Sequence, residues 1–169
     1  MVRFVSETYL AGVENYEFKM FFEADAREVV CVKKINKMKE PFVLNEDGNI
    51  ITILDDGYFV VDVVPLDENY VARIHFDRDK KLIEKFFILT KNNSMQNGVP
   101  AYEDLKVSYV CTNFGKKVYG KERFDAFLEN GQMTKDEYEH LSAKFDKLKK
   151  SVDCGENFIY NSNYEKYLF

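Results

Sequence analysis

Two adjacent carboxylates at the entrance of a predicted strand are the residues of this chain best suited to chemistry. Residues 98–105 read Gly-Val-Pro-Ala-Tyr-Glu-Asp-Leu, so Glu103 and Asp104 end a turn, and a strand is predicted over 106–112. Carboxylate oxygens that a rigid element holds in place are the ligands that hard cations such as Mg²⁺ prefer. Asp104 is therefore a candidate metal ligand. The alternative is that its side chain accepts hydrogen bonds from loop amides and shapes the turn.

Glu103 is a weaker candidate than Asp104 for the same ion. Neighbouring residues of a strand point to opposite faces, so both carboxylates can reach one cation only where the chain still has loop geometry. Exposure to solvent is the alternative for Glu103.

Three basic residues on predicted strands are candidate phosphate ligands: Arg73, Lys85 and Lys106. They could hold a phosphate if they point into the mouth of a barrel. The alternative is that they lie on an outer face or an edge, as strand lysines commonly do. His75 and His140 have no Cys or second His at the spacing of a zinc site.

The elements that must position these residues are predicted to be antiparallel strands followed by helices. Residues 70–76 alternate with period two, and Asp56-Gly57 has the composition of a hairpin turn. A long polar loop is expected over 91–101. After residue 119 the apolar residues repeat at helical spacing, and Thr134 with Glu137 forms a capping-box pattern at the start of the second helix. We interpret residues 27–119 as a β-barrel, 120–152 as a helical pair and 153–169 as an aromatic tail, all within a single domain spanning 1–169.

Composition limits the classes of function. The chain has 169 residues, a net charge of −5 and a pI near 5.2, which disfavours a general nucleic-acid coat protein because phosphate contacts need clustered Lys and Arg. No DNA partner is expected, whereas association with RNA is left open. No apolar stretch is long enough for a membrane span. The three cysteines are far apart in the sequence, which is typical of a reducing compartment, so a cytoplasmic location is expected.

From about residue 55 to residue 149 the chain resembles the FomD barrel-like family of nucleoside di- and triphosphate phosphatases. The order and spacing of several pieces carry this resemblance: Asp56-Gly57-Tyr58, Tyr70–Phe76, Gly98–Leu105, Gly115, Phe124–Leu128 and Gly131–Tyr138. The resemblance implies an α+β fold that is mainly antiparallel β, a FomD-like barrel capped by two C-terminal α-helices. It also implies hydrolysis of a nucleotide phosphoanhydride with Mg or Mn held by acidic residues.

The resemblance assigns roles to particular residues and also shows where this chain departs from the family. Asp104 matches a metal-binding acid, and Glu122 matches the register of another acid that could act as a second ligand or a base. The family acids are replaced, however, by Leu89, Ser108 and Gly120, and a strand Trp is replaced by Val60. Phosphoryl transfer depends largely on the placement of charge, so these losses should remove most catalysis.

The metal-dependent phosphatase therefore competes with two alternatives that have no catalytic activity. In the nucleoside phosphatase, Asp104, Glu103 and Glu122 are catalytic, Asp104 holds the metal, and Arg73, Lys85 and Lys106 bind the substrate. The first alternative is a catalytically inactive barrel that binds a nucleotide or another phosphorylated small molecule, and the second is an RNA-associated or scaffold protein. The base preference, the oligomeric state and the role of residues 1–26 do not follow from the sequence.

Overall fold

The strands precede the helices along the chain, as the sequence predicts. The computed structural model describes all 169 residues. The strands are β1 (Val2–Phe4), β2 (Val13–Glu23), β3 (Glu28–Met38), β4 (Phe42–Glu46), β5 (Asn49–Leu54), β6 (Phe59–Pro65), β7 (Tyr70–Phe76), β8 (Leu82–Gln96), β9 (Val99–Thr112) and β10 (Gly115–Tyr119). The helices are α1 (Lys121–Glu129), α2 (Lys135–Asp153) and α3 (Phe158–Asn161). No helix combines the length and the hydrophobicity that are needed to span a lipid bilayer.

The main sheet is antiparallel and curls into a half-barrel. Its strand order is β1-β9-β8-β7-β6-β3-β2, with β10 pairing to the far end of β9, while β4 and β5 form a separate hairpin. The predicted fold class is confirmed: an α+β, mainly antiparallel FomD-like fold with C-terminal helices. The expected closure of the barrel is wrong, because β1 and β2 lie at opposite ends of the strand order and do not pair. β1 is only three residues long, and the chain then turns into a 3₁₀ segment at Val5–Glu7.

The N-terminal 26 residues belong to this sheet. β1 pairs with β9 at residues 101–103, and β2 pairs with β3 along its length. The sheet therefore begins well before residue 27, where the sequence interpretation placed its start.

Two connections differ from the sequence predictions. The expected polar loop over 91–101 is mostly strand, because β8 and β9 are joined by a two-residue turn at Asn97 and Gly98. Both turn residues have positive φ, 51° and 78°, as an Asn-Gly hairpin requires. The turn at Asp56-Gly57 is not a hairpin turn, since β5 pairs with β4 and β6 pairs with β3 and β7.

Alternation along the strands separates two buried faces of the sheet. One face, which we call the helix face, packs against the helices and the C-terminal tail; in β7 it carries Ala72 and Ile74. The opposite face, which we call the N-terminal face, is covered partly by the segment around Val5 and carries Val71 of β7. The period-two pattern of residues 70–76 is therefore confirmed, but both of its faces are buried rather than one.

The helices are positioned largely as the sequence predicts. The Thr134 hydroxyl accepts a hydrogen bond from the Glu137 amide at 3.2 Å and caps α2. The Glu137 carboxylate does not reach back to the cap, because it accepts a hydrogen bond from Lys91 of β8 at 2.8 Å. The apolar stripe of α2 is buried against the helix face at Leu141, Phe145, Leu148 and Val152.

Candidate functional site

Asp104 lies on β9 with both of its oxygens engaged. One oxygen accepts the Lys106 main-chain amide at 2.8 Å, as in the turn-shaping alternative. The other lies 3.2 Å from the Lys106 ammonium and 3.6 Å from Nε of Arg3. Two cations therefore surround this carboxylate, and their charges oppose the approach of a divalent ion.

The other two predicted acids do not join Asp104. Glu103 accepts a hydrogen bond from the Asn92 side chain at 2.7 Å. The Glu122 side chain is 79% exposed and lies 3.8 Å from Arg123. No group of three or more His, Cys, Asp or Glu side chains comes together anywhere in the chain to hold a metal ion. The donor set present does not fit the Mg or Mn site that the resemblance implies.

Two of the three positions at which the resemblance predicts an acid have structural roles. Leu89 is 1% exposed and belongs to the core beneath the helix face. Gly120 has φ +78°, and a Cβ atom placed there would lie 2.0 Å from the Lys106 carbonyl oxygen. Ser108 lies in the middle of the sheet, opposite Ile88 on one side and Tyr119 on the other. The fold therefore places core at one of these positions and excludes a side chain at another.

Arg73 is a buried structural cation. Its Nε donates to Asp62 at 2.7 Å, and the Lys33 ammonium donates to the other oxygen of Asp62 at 3.0 Å. Burial alone would raise the pKa of the Asp62 carboxyl, but Arg73 and Lys33 together hold this pKa below its usual value. The Arg73 guanidinium also lies 4.4 Å from the centre of the Tyr9 ring. The charge of Arg73 is thus compensated within the N-terminal face.

Lys85 has no carboxylate partner. Its ammonium donates to the main-chain carbonyl oxygens of Tyr160 at 2.7 Å and Ser162 at 3.1 Å, with Ile159 at 3.4 Å. These carbonyls lie at the end of α3, so Lys85 of β8 holds the C-terminal tail against the sheet. Burial lowers the pKa of Lys85, since no nearby carboxylate offsets the loss of solvent.

Lys85 also lines a cavity of about 460 Å³ between the β7–β8 turn and the tail, which we call the hairpin–tail pocket. Lys80 and Lys81 stand on the turn side of this pocket, and Tyr160 and Tyr164 stand on the tail side. No ion pair joins the three lysines to a carboxylate, although Asp79 and Glu165 line the same cavity. The Tyr160 ring lies 5.6 Å from the Lys85 ammonium. The pocket therefore combines aromatic surface with three lysines that form no ion pair, and with the two carboxylates its net charge is about +1.

Two other cavities contain predicted site residues, and in both of them the cations are paired. A cavity of about 540 Å³ under residues 1–11 includes Arg73 and Arg3, which bind Asp62 and Asp104 respectively. A cavity of about 200 Å³ beside Asp104 includes Lys91, which binds Glu137. The hairpin–tail pocket is the one of the three with free positive charge.

Of the lysines in this pocket, the sequence predicts Lys85 as a candidate ligand but not Lys80 or Lys81. The lysine pair in the Asp-Lys-Lys turn at 79–81 was a detectable signal for a basic loop. No local pattern could show that the tail folds back over β8 to complete the pocket.

Comparison with known proteins identifies solved structures that share this fold. No protein-family model and no curated protein sequence matches the chain. The fold is similar to that of FomD, solved in complex with CDP, with a TM-score of 0.62 and 10% identity over 88% of this chain and 83% of that one. It is equally similar to the phosphatase SC4828, solved with the non-hydrolysable nucleotide GPCP: the TM-score is 0.62 and the identity 10%, over 84% of this chain and 75% of that one. The resemblance to FomD stated from the sequence is thus confirmed at the level of the fold.

Proposed function

We propose that this protein binds a nucleotide in the hairpin–tail pocket through its phosphate groups and does not hydrolyse it. The observation that carries the proposal is the set of three lysines without carboxylate partners, Lys80, Lys81 and Lys85, around a cavity of about 460 Å³. That volume falls within the usual range of small-molecule pockets, roughly 300–1,000 Å³. The fold shared with two nucleotide complexes supports the choice of ligand class.

The three lysines would contribute to the binding of a phosphate chain in two different ways. Lys80 and Lys81 are exposed and free to donate charge-assisted hydrogen bonds to phosphate oxygens. Lys85 is committed to main-chain carbonyls, so it would act through its charge from the floor of the pocket. Tyr160 offers a ring against which a base can stack, a contact that any base can make.

Absence of turnover follows from the placement of the acids. Asp104 lies between Arg3 and Lys106. The carboxylate of Glu103 accepts a hydrogen bond from Asn92, and that of Glu122 lies beside Arg123. Phosphoryl transfer needs charges converging on the transferred group. The two acids that line the hairpin–tail pocket, Asp79 and Glu165, belong to no group of three or more that could hold a metal ion.

A metal-dependent phosphatase is the second candidate, and the likeness to SC4828 favours it. Asp104 would then be the metal ligand, assisted by Glu103 or Glu122, and Lys106 and Arg73 would contact the substrate. This requires Arg3 and Lys106 to move away from Asp104 and Arg73 to leave Asp62.

Two assays on one preparation separate the candidates. The protein is incubated with nucleoside di- and triphosphates in Mg²⁺ or Mn²⁺ and phosphate release is measured; the same nucleotides are then tested for thermal stabilisation in EDTA. Stabilisation in EDTA with phosphate release equal to buffer supports the binder. Metal-dependent release that Asp104→Asn abolishes supports the phosphatase. No stabilisation and no release contradicts both, and leaves the scaffold or RNA-associated role.

We also infer a reducing, cytoplasmic environment. Cys31, Cys111 and Cys154 are all free thiols. Burial raises the pKa of Cys31 to about 12 and that of Cys111 to about 11, so both are unreactive core residues.

A further inference from the structure

We infer that two copies of this protein associate through the outer edge of β2, forming a continuous antiparallel sheet about a two-fold axis at Phe18. The inference is independent of the nucleotide proposal. It starts from the fact that β2 ends the strand order of the main sheet and pairs only with β3. The outward main-chain groups of this strand therefore have no strand partner.

The β2 edge carries less protection than sheet edges normally do: a register shift between Val13 and Tyr16 and a single lysine. Proteins blunt exposed edges with short strands, prolines, bulges and lysines. At the other end of the sheet β1 and β10 are only three and five residues long. β2 has eleven residues and no proline, and its pairing with β3 is regular from Tyr16 to Glu23. Lys19 is the one basic residue on this strand.

The side chains of β2 suit a second copy of the same strand. Pairing about Phe18 places Glu17 of each copy opposite Lys19 of the other, which gives two cross-strand pairs of opposite charge. It also places Tyr16 opposite Met20 twice, and these apolar side chains are 37% and 39% exposed. Cross-strand pairs of both kinds stabilise antiparallel sheets.

Neighbouring registers are less favourable. Moving the axis to Glu17 or to Lys19 places two like charges directly opposite each other at the centre of the interface. An axis at Phe21 also brings Lys19 opposite Glu23, but it pairs only residues 19–23 within the strand. The axis at Phe18 uses the strand from Val13 to Glu23: its central pairs, Tyr16 to Met20, lie where the pairing with β3 is regular, and its outer pairs cross the register shift between Val13 and Tyr16.

Substitutions that exchange the charges of Glu17 and Lys19 test whether two copies pair about Phe18. Glu17 and Lys19 are both exposed; within the chain Glu17 accepts a hydrogen bond from Asn36, and the Lys19 ammonium lies 3.9 Å from the centre of the Phe169 ring. Far-ultraviolet circular dichroism will verify that their substitution leaves the fold intact. Molar mass is measured over a dilution series by sedimentation equilibrium for the wild type, Glu17→Lys, Lys19→Glu and the double variant Glu17→Lys/Lys19→Glu. We expect the wild type to reach twice the chain mass of 19.9 kDa. Each single variant should weaken dimerisation by about tenfold or more, and the double variant should restore it.

Three results would overturn the inference. The first is a wild type that stays at the mass of one chain throughout the series. The second is a dimer that neither single variant weakens, which would place the interface elsewhere. The third is loss of the dimer in the double variant as well, which would contradict the register about Phe18.

Discussion

At the scale of single residues, Asp62 is a buried carboxylate whose charge is balanced by two cations. Its carboxylate is fully buried between Arg73 and Lys33. Removal of one partner from a buried ion pair costs about 3–5 kcal/mol, because the remaining charge is left uncompensated. Asp62→Asn should therefore lower the free energy of unfolding at pH 7 by about this amount, measured by urea denaturation.

The pH dependence of that difference has a definite sign. The folded-state pKa of Asp62 is lowered, so its stabilising contribution is present above the pKa of the unfolded chain and is lost as the pH falls through the folded value. The difference in free energy of unfolding between wild type and Asp62→Asn should become smaller below a pH of about 4. Asp146→Asn is the control, since Asp146 is 73% exposed and pairs with Lys149 on the helix surface. If this difference in free energy of unfolding instead grows as the pH falls, the ionised carboxylate of Asp62 does not stabilise the folded protein.

Gly120 offers a second prediction at the residue scale. Gly120 and Gly131 both have positive φ, 78° and 68°, but only at Gly120 would a Cβ atom meet the backbone, 2.0 Å from the Lys106 carbonyl oxygen. Gly131→Ala should cost about 1–2 kcal/mol for the left-handed conformation alone. Gly120→Ala should cost at least about 2 kcal/mol more in the same denaturation experiment. Equal losses would mean that an acid could be restored at position 120 without rebuilding the turn.

At the scale of secondary structure, Lys85 connects β8 to the tail. Its loss would leave the carbonyls of Tyr160 and Ser162 without their donor, so α3 and the residues after it should open more often. Lys85→Met is expected to speed amide hydrogen exchange in residues 158–169 by about tenfold or more, whereas Lys81→Met in the adjoining turn should not. Unchanged protection of the tail in Lys85→Met would remove Lys85 from this role.

The elements also show which parts of the fold the sequence can reveal. Local patterns were sufficient for β7, where residues alternate, and for α2, where Thr134 caps the first turn. Asn97-Gly98 is an equally local hairpin signal, but the polar residues before it suggested a loop. The openness of the sheet depends on β1 and β2 failing to meet, which is a property of distant segments that no short pattern encodes.

The candidate site likewise combines features that local sequence patterns reveal with features that depend on contacts between distant segments. Asp104 was recognisable from its position before a strand, but its engagement by Arg3 requires β1 to pair with β9 across about a hundred residues of chain. Likewise, the burial of Arg73 beside Asp62 depends on the pairing of β6 with β7 and on the cover of the N-terminal segment. Residue types indicated candidate ligands, and tertiary pairing decided which charges stayed free.

At the scale of the whole molecule, the protein has a FomD-like fold in which the candidate acids are separated from one another and the unpaired lysines lie around a different cavity. Three lysines without carboxylate partners line the hairpin–tail pocket. An anion bound mainly by exposed lysines should bind more weakly as salt is added, since screening acts strongly on exposed charges.

The most direct measurement is calorimetric titration of a nucleoside diphosphate in EDTA into three proteins. These are the wild type, Lys80→Gln/Lys81→Gln, and the control Lys39→Gln/Lys150→Gln, which removes the same charge from exposed lysines outside the pocket. A charge-assisted hydrogen bond contributes about 1.5–3 kcal/mol, so the pocket variant should lose about tenfold or more in affinity, while the control keeps wild-type binding. Binding that requires a divalent metal, or that is unchanged when Lys80 and Lys81 are replaced, would contradict metal-independent binding of the nucleotide in the hairpin–tail pocket.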